Sequence, residues 1–235
     1  MVRTPPRLTG VVEWMDRPGV EPMELVRTLQ DLAWLNRMFG GTRVVLAHLA
    51  AILPGLVPPV HVLDVGTGYA DLPRAIVRWA RQRRLALRID AIDHHEGIRE
   101  RAERACADYP EIRLGLGDAC ALPYPDRSVD VAIASQLLHH MEGEEPIHLL
   151  RELRRVARYA VVVGDLRRGV WPFLVTWATL HLVSRSPLIR HDGPLSIRRG
   201  FLPRELLTLA VAAGWRAPQV VRHACFRLAL TERIA

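Results

Sequence analysis

One segment, HVLDVGTGYADLP at residues 61–73, constrains the fold of this chain more than any other. It begins with the β-branched and leucine residues that are typical of a strand buried on both faces of a parallel sheet. Gly66 and Gly68 then permit backbone angles and close approaches that a side chain would prevent. Apolar residues at helical spacing follow from Leu72 to Ala80. The segment predicts a strand, a tight turn and a helix whose N-terminal amide groups can meet a small polar ligand.

A glycine turn can also serve only the tight packing of a strand against a helix. The pattern downstream of the turn therefore has to distinguish a ligand site from a packing turn. A nucleotide site requires an acidic residue about 20 residues further on, at the end of the next strand. Residues 87–92 predict that strand, and Asp93 ends it. Asp90 is the competing acid, but it lies inside the strand, where we expect a sheet edge or the surface. Asp71 stands where the NAD fingerprint has glycine or alanine, which disfavours a dehydrogenase.

The next motifs distinguish among nucleotide-binding folds. Residues 114–118 predict a third strand ending in Gly-Asp, and ALPYPDRSVD at 121–130 leads through an apolar strand into SQLLHH at 135–140. Together with D-x-G-x-G at 64–68, this order resembles the class I S-adenosylmethionine-dependent methyltransferases that act on small molecules. Less specifically, HDGPLSIRRGF at 191–201 resembles the C-terminal part of bacterial polyketide and secondary-metabolite O-methyltransferases.

The resemblance implies an α/β fold with a Rossmann-like, seven-stranded, mostly parallel sheet, an antiparallel last strand and helices on both faces. Residues 1–56 are expected to form an N-terminal helical cap, because one-faced apolar patterns predict helices at 22–39 and 43–53. Residues 57–235 would form the methyltransferase domain, with a substrate-lining insertion at 166–201.

The insertion and the C-terminal region carry further predicted elements. Apolar residues 170–184 predict a helix that is too short to span a membrane. It would either belong to the core of the sheet or line an apolar substrate cavity, and the resemblance favours the cavity. Residues 190–201 predict a polar loop punctuated by glycine. A helix at 203–213 and two strands at 218–223 and 226–231 complete the pattern.

Carried over by position, the resemblance implies S-adenosyl-L-methionine as the cofactor. The turn at 64–69 would surround its methionine part, Asp93 its ribose, Asp118 its adenine, and Ser135 would face the sulfonium. The full set implied for the cofactor is Asp64, Gly66, Thr67, Gly68, Tyr69, Asp93, His94, Asp118, Ala119, Ser135 and Arg37. Arg37 or Thr42 could reach the cofactor carboxylate, although a role in the turn is the favoured interpretation for both.

Methyl transfer is an in-line displacement, so the enzyme mainly positions the nucleophile in a dry site. A phenol or enol must also lose its proton, and histidine is the usual general base. We rank His140 and His191 as candidate bases ahead of His139, while packing beneath the pocket remains the alternative for at least one of the adjacent pair. Asp165 could face the pocket, with an N-cap or an ion pair to a neighbouring arginine as the alternative.

The leading hypothesis is O-methylation of a phenolic or enolic hydroxyl on an aromatic, polyketide-like molecule. One alternative is transfer to carbon or nitrogen of a small metabolite. The other is a protein that binds the cofactor without methylating, such as a cyclase on the same fold.

The composition of the chain limits the kinds of partner that it is expected to bind. The net charge is +7, but every cationic residue among the 32 is arginine, which indicates a GC-rich genome rather than selection for phosphate binding. Aromatic residues make up only 6%, so no stacking surface for bases is predicted and nucleic acid is not an expected partner. Cys106, Cys120 and Cys225 are scattered, which predicts neither disulfides nor a metal site and suits the reducing cytoplasm. We expect a small-molecule substrate, no stable membrane insertion, and a homodimer as the candidate assembly.

Overall fold

A computed structural model of the chain describes residues 4–17 and 21–234. Residues 1–3 and 18–20 of the predicted cap therefore lie outside the described residues. The helices are α1 (Pro22–Met38), α2 (Gly41–Ile52), α3 (Asp71–Gln82), α4 (Glu96–Ala105), α5 (Glu145–Val156), α6 (Val170–Val183), α7 (Pro187–Arg199) and α8 (Pro203–Ala212). The strands are β1 (Val60–Val65), β2 (Leu87–Asp93), β3 (Ile112–Leu116), β4 (Val129–Ser135), β5 (Ala157–Leu166), β6 (Gln219–His223) and β7 (Arg227–Arg233). Single 3-10 turns lie at Trp14–Asp16, Leu53–Gly55 and Leu138–His140.

The strands form one seven-stranded sheet in the order β3-β2-β1-β4-β5-β7-β6. Strands β1 to β5 run parallel to their neighbours, whereas β7 runs antiparallel to both β5 and β6. The predicted α/β sheet with an antiparallel last strand is confirmed. Because the five parallel strands end at one edge, the residues that follow β1, β2, β4 and β5 meet there, which is where ligands bind in such sheets.

Helices cover both faces of the sheet, and each face has its own apolar core. On one face, α5 and α8 bury leucines such as Leu149, Leu153 and Leu206 against β4 and β5. On the other face, α3 buries Ile76 and α2 buries Leu49 against β1 and β2. The continuous apolar runs of the central strands follow from this two-sided burial.

The two predicted N-terminal helices are present, but they occupy different layers. α2 begins at Gly41, earlier than the predicted start, after Gly40 adopts a left-handed conformation. Its residue Val45 belongs to the core beneath the sheet, so α2 is part of the sandwich. α1 instead places Leu25 and Leu35 on the wall of the cavity at the carboxyl edge.

The prediction of a loop at residues 190–201 is wrong, because α7 continues to Arg199. The Ser186 side chain accepts a hydrogen bond from the Ile189 amide at 3.4 Å, which caps the helix as serine commonly does. α7 also buries Leu188, Ile189 and Ile197. The glycine that suggested a loop, Gly193, provides space for Leu180 of α6, which contacts the position that a Cβ would occupy. Tertiary packing therefore outweighs the glycine and proline in this segment.

α6 is the apolar helix predicted from residues 170–184. It places Val175, Thr179 and Leu180 on the cavity wall, while Trp171 and Leu182 are exposed on its outer side. Within the described ranges, each helix taken singly is too short or too polar to cross a membrane, although α1 and α2, joined at a bend of 57°, would together have the length and composition.

We expect the substitution Gly200→Ala to destabilise the fold by about 2 kcal/mol, in the range for overpacking a filled site. Gly200 joins α7 to the edge of β5, and a Cβ there would lie 2.6 Å from the backbone oxygen of Leu166, which cannot rotate away. Gly55→Ala is the matched control, since a Cβ at Gly55 meets nothing within 4 Å. Urea denaturation measures both variants, and equal midpoints for the two would contradict the packing argument.

Candidate active site

A cavity of about 1000 Å³ opens at the carboxyl edge of the sheet, beneath α1, α6 and α7. Its volume lies at the upper end of the range for ligand pockets, roughly 300–1000 Å³. The turns after β1, β2 and β3 form one side of it, and the turn after β4 forms another together with residues 13–17 and α7. The cavity therefore has two chemically different sides.

The first side is the glycine turn after β1, which β2 holds in place. The amides of Gly66 and Thr67 donate to the Ile92 carbonyl at 2.9 and 3.0 Å, and the Gly68 amide donates to Asp93 Oδ2 at 2.8 Å. Gly66 has φ +74° and lies against Leu137, whose Cδ2 would be 2.8 Å from a Cβ. Gly68 has φ +51° and faces open space. A glycine is needed at Gly66 for both conformation and packing.

Two buried oxygens beside this turn have no hydrogen-bond partner among the residues that the structure describes. They are Asp64 Oδ2 and Thr67 Oγ1, which belong to residues on the cavity wall. Burial raises the pKa of Asp64 to about 7; the neighbouring Thr67 hydroxyl acts against this rise, and the carboxylates of Asp71 and Asp93 add to it. Buried polar groups are almost always paired in native proteins, so these oxygens indicate a ligand that brings hydrogen-bond donors.

The other residues predicted to contact the cofactor follow the next strands. Asp93 Oδ1 accepts from the His95 amide at 3.0 Å, and Asp118 Oδ1 accepts from the Cys120 amide at 2.8 Å. The structure brings the following predicted residues together on the cavity wall: Asp64, Gly66, Thr67, Gly68, Tyr69, Asp93, His94, Asp118, Ala119 and Ser135. Thr42 also lies on the wall, whereas Arg37 is exposed on α1 and is not part of the lining. Asp90, the competing acid, instead contacts His61 Nε2 at 2.9 Å.

The second side of the cavity centres on His139, which follows β4. Asp165, at the end of β5, accepts from His139 Nδ1 at 2.8 Å and from the His139 amide at 3.1 Å. Burial would raise the pKa of Asp165, but the neighbouring imidazole of His139 and the Leu166 amide lower it below its usual value. Asp165 thus holds the imidazole and the amide of His139 in place. The alternative for Asp165, an ion pair with a neighbouring arginine, is not seen at Arg168, because Arg168 pairs with Glu205 instead.

His140 has a carboxylate partner of its own. Its Nδ1 contacts Asp16 Oδ2 at 2.8 Å. Burial alone would lower the pKa of His140, but the hydrogen bond to Asp16 and the charges of Glu13, Asp16 and Asp165 raise it to about 9. His140 therefore carries a proton at neutral pH.

Glu13 completes this side, and sequence reasoning missed both Glu13 and Asp16. Glu13 is buried, its Oε1 accepts from Ser196 Oγ at 2.8 Å, and it lies 4.0 Å from His139 Nε2. Neither acid belongs to a motif, and both come from a segment far from His139 in the sequence. Their signal in the sequence is the segment VVEWMD at residues 11–16, where two acids interrupt an apolar run before the first helix.

Several hydrogen bonds fix residues 4–17 over the histidines. Arg7 Nη2 donates to the carbonyls of His139 and Met141 at 3.1 and 2.7 Å. The amides of Trp14 and Met15 donate to the Asp192 carboxylate at 2.8 and 3.0 Å. The acids of this segment are thus held by the same fold that positions His139.

His191, predicted as a base, is placed differently from the adjacent pair. Its ring stacks on Trp14 at 3.8 Å between centroids, and its Nδ1 contacts Asp192 Oδ1 at 2.7 Å. Among the described residues, His139 and His140 line the cavity and His191 does not. The geometry brings two of the three predicted histidines to the site.

Residues 62–159 match a family model described as a methyltransferase domain. The chain is 30% identical over 127 residues to a probable S-adenosylmethionine-dependent methyltransferase of Mycolicibacterium smegmatis, covering 53% of this chain and 43% of that protein. It is 27% identical over 158 residues to the phenazine O-methyltransferase PhzM of Lysobacter antibioticus, covering 63% and 43%. Residues 62–159 of this chain therefore correspond to a methyltransferase domain of the S-adenosylmethionine-dependent kind.

An uncharacterized 37.1 kDa protein in transposon TN4556 of Streptomyces fradiae is 34% identical over 137 residues, covering 57% of this chain and 38% of that protein. This chain spans less than half the length of these curated relatives. A solved methyltransferase from Aquifex aeolicus covers 92% of this chain and 100% of its own, with a TM-score of 0.64 and 19% identity. At that identity the likeness shows the methyltransferase fold alone.

S-adenosylmethionine is the cofactor of this domain, and the first side of the cavity fits it. The unpartnered oxygens of Asp64 and Thr67 suit the ammonium and hydroxyl donors that the cofactor carries. The open space at Gly68 allows a ligand to approach the backbone.

Proposed function

We propose that this chain transfers a methyl group from S-adenosylmethionine to a hydroxyl oxygen of a small aromatic, polyketide-like molecule. The observation that carries the proposal is that the glycine turn and His139 line one cavity, while the buried carboxylate of Asp165 is hydrogen-bonded to His139. The cavity also has room for an acceptor beside the cofactor. The similarity to a phenazine O-methyltransferase supports oxygen as the acceptor atom.

The proposed cofactor contacts follow from the donors and acceptors on the wall. Asp64 accepts from the cofactor's ammonium, Asp93 from the ribose hydroxyls, and Asp118 from the adenine amine, because carboxylates form strong charge-assisted hydrogen bonds. Ser135 is the last residue of β4 and also lies on the cavity wall. When bound, the cofactor supplies an electrophilic methyl group.

His139 is the proposed general base. Asp165 accepts at Nδ1, so that nitrogen carries the proton and Nε2 offers its lone pair. Removing a hydroxyl proton makes the imidazole a cation, and the buried carboxylates of Asp165 and Glu13 stabilise that charge. The structure thus favours His139 over His140 and His191, which the sequence ranked higher.

His140 has a complementary role in this proposal. It is already protonated at neutral pH, with a pKa of about 9, so it cannot readily accept a proton from the acceptor. As a cation on the cavity wall, it stabilises the oxyanion that forms when the hydroxyl is deprotonated. The site thus pairs a base with an electrostatic stabiliser.

A second candidate mechanism rests on the same residues. Glu13, His139 and His140 each offer one ligand atom, and the three atoms lie within 4.8 Å of one another. Two imidazoles and a carboxylate are suitable ligands for a divalent cation, which would polarise the acceptor oxygen. Full activity in the presence of a chelator is the result expected for the base mechanism. Loss of activity that only added metal restores would favour the cation.

The function is tested by incubating the full chain with methyl-labelled S-adenosylmethionine and matched panels of phenols, enols, amines and carbon acids. We expect label in the phenol and enol products as methyl ethers. Label attached to carbon or nitrogen would instead support the alternatives. Tight cofactor binding with label in no product would overturn the methyltransferase proposal.

Binding of S-adenosylhomocysteine at pH 6 is expected to release a proton. In the free protein the raised pKa of Asp64, about 7, keeps its carboxyl protonated at that pH. The ligand's ammonium favours the ionised carboxylate, so binding lowers this pKa and expels about one proton. Calorimetry in two buffers of different ionisation enthalpy measures the release.

The variant Asp64→Asn should abolish this release, while Asp90→Asn should retain it because Asp90 contacts His61 outside the cavity lining. Equal proton release in wild type and Asp64→Asn would contradict the assignment of Asp64.

A further inference from the structure

Arg227 is the first residue of β7 and faces the cavity from the antiparallel side of the sheet. It pairs with Leu166 at the end of β5 and belongs to the cavity wall. Its side chain is almost completely buried, with 9% of the residue exposed. A buried cation at a cavity wall requires compensation from a neighbouring group.

The protein supplies little of that compensation. Arg227 Nη1 donates to Gln136 Oε1, a neutral acceptor, and its buried Nε has no partner within the described part of the chain. Among residues 4–17 and 21–234, no carboxylate forms an ion pair with its guanidinium. Burial lowers the pKa of Arg227 to about 10, although Asp165 acts in the opposite direction, so the group stays cationic at neutral pH.

Two other buried arginines have the hydrogen-bond partners that Arg227 lacks. Arg168 is 5% exposed and donates to the Glu205 carboxylate and to the carbonyls of Pro5 and Gly200. Arg199 is 4% exposed and donates to the carbonyls of His139 and His140. Both occupy structural positions with filled hydrogen bonds. Arg227 has an unfilled nitrogen and lines the cavity.

The position of Arg227 separates it from the cofactor turn. That turn follows β1, whereas Arg227 lies on β7, beyond β4 and β5 in the sheet order. Neighbouring strands are about 4.8 Å apart, so three strand intervals place the two roughly 14 Å apart. Asp165, which holds His139, is close enough to influence the charge of Arg227. Arg227 therefore lies on the side of the proposed base.

We propose that Arg227 binds a carboxylate of the methyl acceptor, so that the preferred substrates are hydroxyaryl acids. The guanidinium presents parallel N–H donors that match a carboxylate, and the bond is strong where water is excluded. The acid group would anchor the molecule at Arg227 while its hydroxyl reaches His139. This inference rests on the proposed function, because it specifies the acceptor of the same site.

The test compares acids with their neutral amides. The full chain is saturated with S-adenosylhomocysteine and titrated by calorimetry with a series of hydroxybenzoates and hydroxynaphthoates and with the corresponding amides. Wild type should bind at least one acid ten-fold or more tightly than its amide. Arg227→Met should remove the preference, and Arg227→Lys should retain part of it. The control Arg222→Met, on the exposed strand β6, should leave it unchanged.

Equal binding of every acid and its amide, including failure of all of them to bind, would overturn the inference. A preference that survives in Arg227→Met would overturn it too. If Arg227→Met weakens S-adenosylhomocysteine ten-fold without changing the preference, the carboxylate recognised is the cofactor's own, which also contradicts the proposal. Circular dichroism and unchanged S-adenosylhomocysteine affinity show that the variant is folded.

The proposed function is distinguished by a separate readout. Methyl transfer to phenols without a preference for acids would contradict the role of Arg227 and leave the O-methylation standing. Binding of acids that depends on Arg227, without label transfer to any of them, would support the anion site and contradict the methyl transfer.

Discussion

Replacing Asp93 with alanine is expected to weaken the binding of S-adenosylhomocysteine by about 100-fold, or about 3 kcal/mol, for the loss of charge-assisted hydrogen bonds. Asp93 ends β2, its carboxylate lies on the cavity wall, and it is proposed to accept from the ribose hydroxyls. The same carboxylate accepts from the Gly68 amide at 2.8 Å, so its loss also frees the glycine turn. Calorimetry on the purified variant measures the dissociation constant.

The control for Asp93 is on the same strand. Asp90→Ala removes a carboxylate that contacts His61 and lies outside the cavity lining, so affinity for the ligand should stay within two-fold, a difference of about 0.4 kcal/mol. Because the two variants change the charge equally, a general electrostatic effect would weaken both. An unchanged dissociation constant in Asp93→Ala would remove it from the cofactor site.

Replacing His139 with glutamine is expected to lower kcat by about 1000-fold, in the middle of the range for losing a general base. The affinity for S-adenosylhomocysteine should not change, because His139 lies on the other side of the cavity. Asp165→Asn should lower kcat as well, since asparagine can present an N–H to His139 Nδ1 and favour the wrong tautomer. Single-turnover measurements with labelled cofactor and a phenol acceptor provide the rate.

Two controls separate proton transfer from a structural effect of the His139 variant. His191→Gln should retain nearly full turnover, because His191 stacks on Trp14 away from the cavity lining. Added imidazole should partly restore turnover in a His139→Gly variant, a rescue that a structural role would not permit. Full turnover in His139→Gln would exclude this residue as the base.

The cofactor half of the molecule was predictable because its signals are local. A buried strand, a glycine turn and a helix follow one another in residues 61–73, and Asp93 occurs at the expected spacing. Parallel strands bring their carboxyl ends together, so the order of motifs was enough to assemble the acids around one cavity.

The acceptor half was less predictable because its contacts are long-range. Glu13 and Asp16 meet His139 and His140 only after residues 4–17 are fixed by Arg7 and Asp192. The helix α7 formed across Gly193 and Pro194, where local propensity predicted a loop, because its buried stripe packs against α6. The pattern of apolar residues within one segment does not show which distant segment it packs against.

Arg227 was predictable in part. Its strand pattern was recognised, but an arginine beginning an apolar strand gives no indication of whether its partner is a carboxylate or a ligand. Only the neighbouring side chains, and the nitrogen they leave unfilled, make that distinction.

The distribution of the site along the chain makes the two halves separable by engineering. Residues 62–159, which match the family model, contain the glycine turn, Asp93 and His139. The acids at 13 and 16, the helices α6 and α7 and Arg227 lie outside that range. Exchange of these outer segments among related domains should change acceptor preference while S-adenosylhomocysteine binds as before, which makes them the natural units for building catalysts with new acceptors.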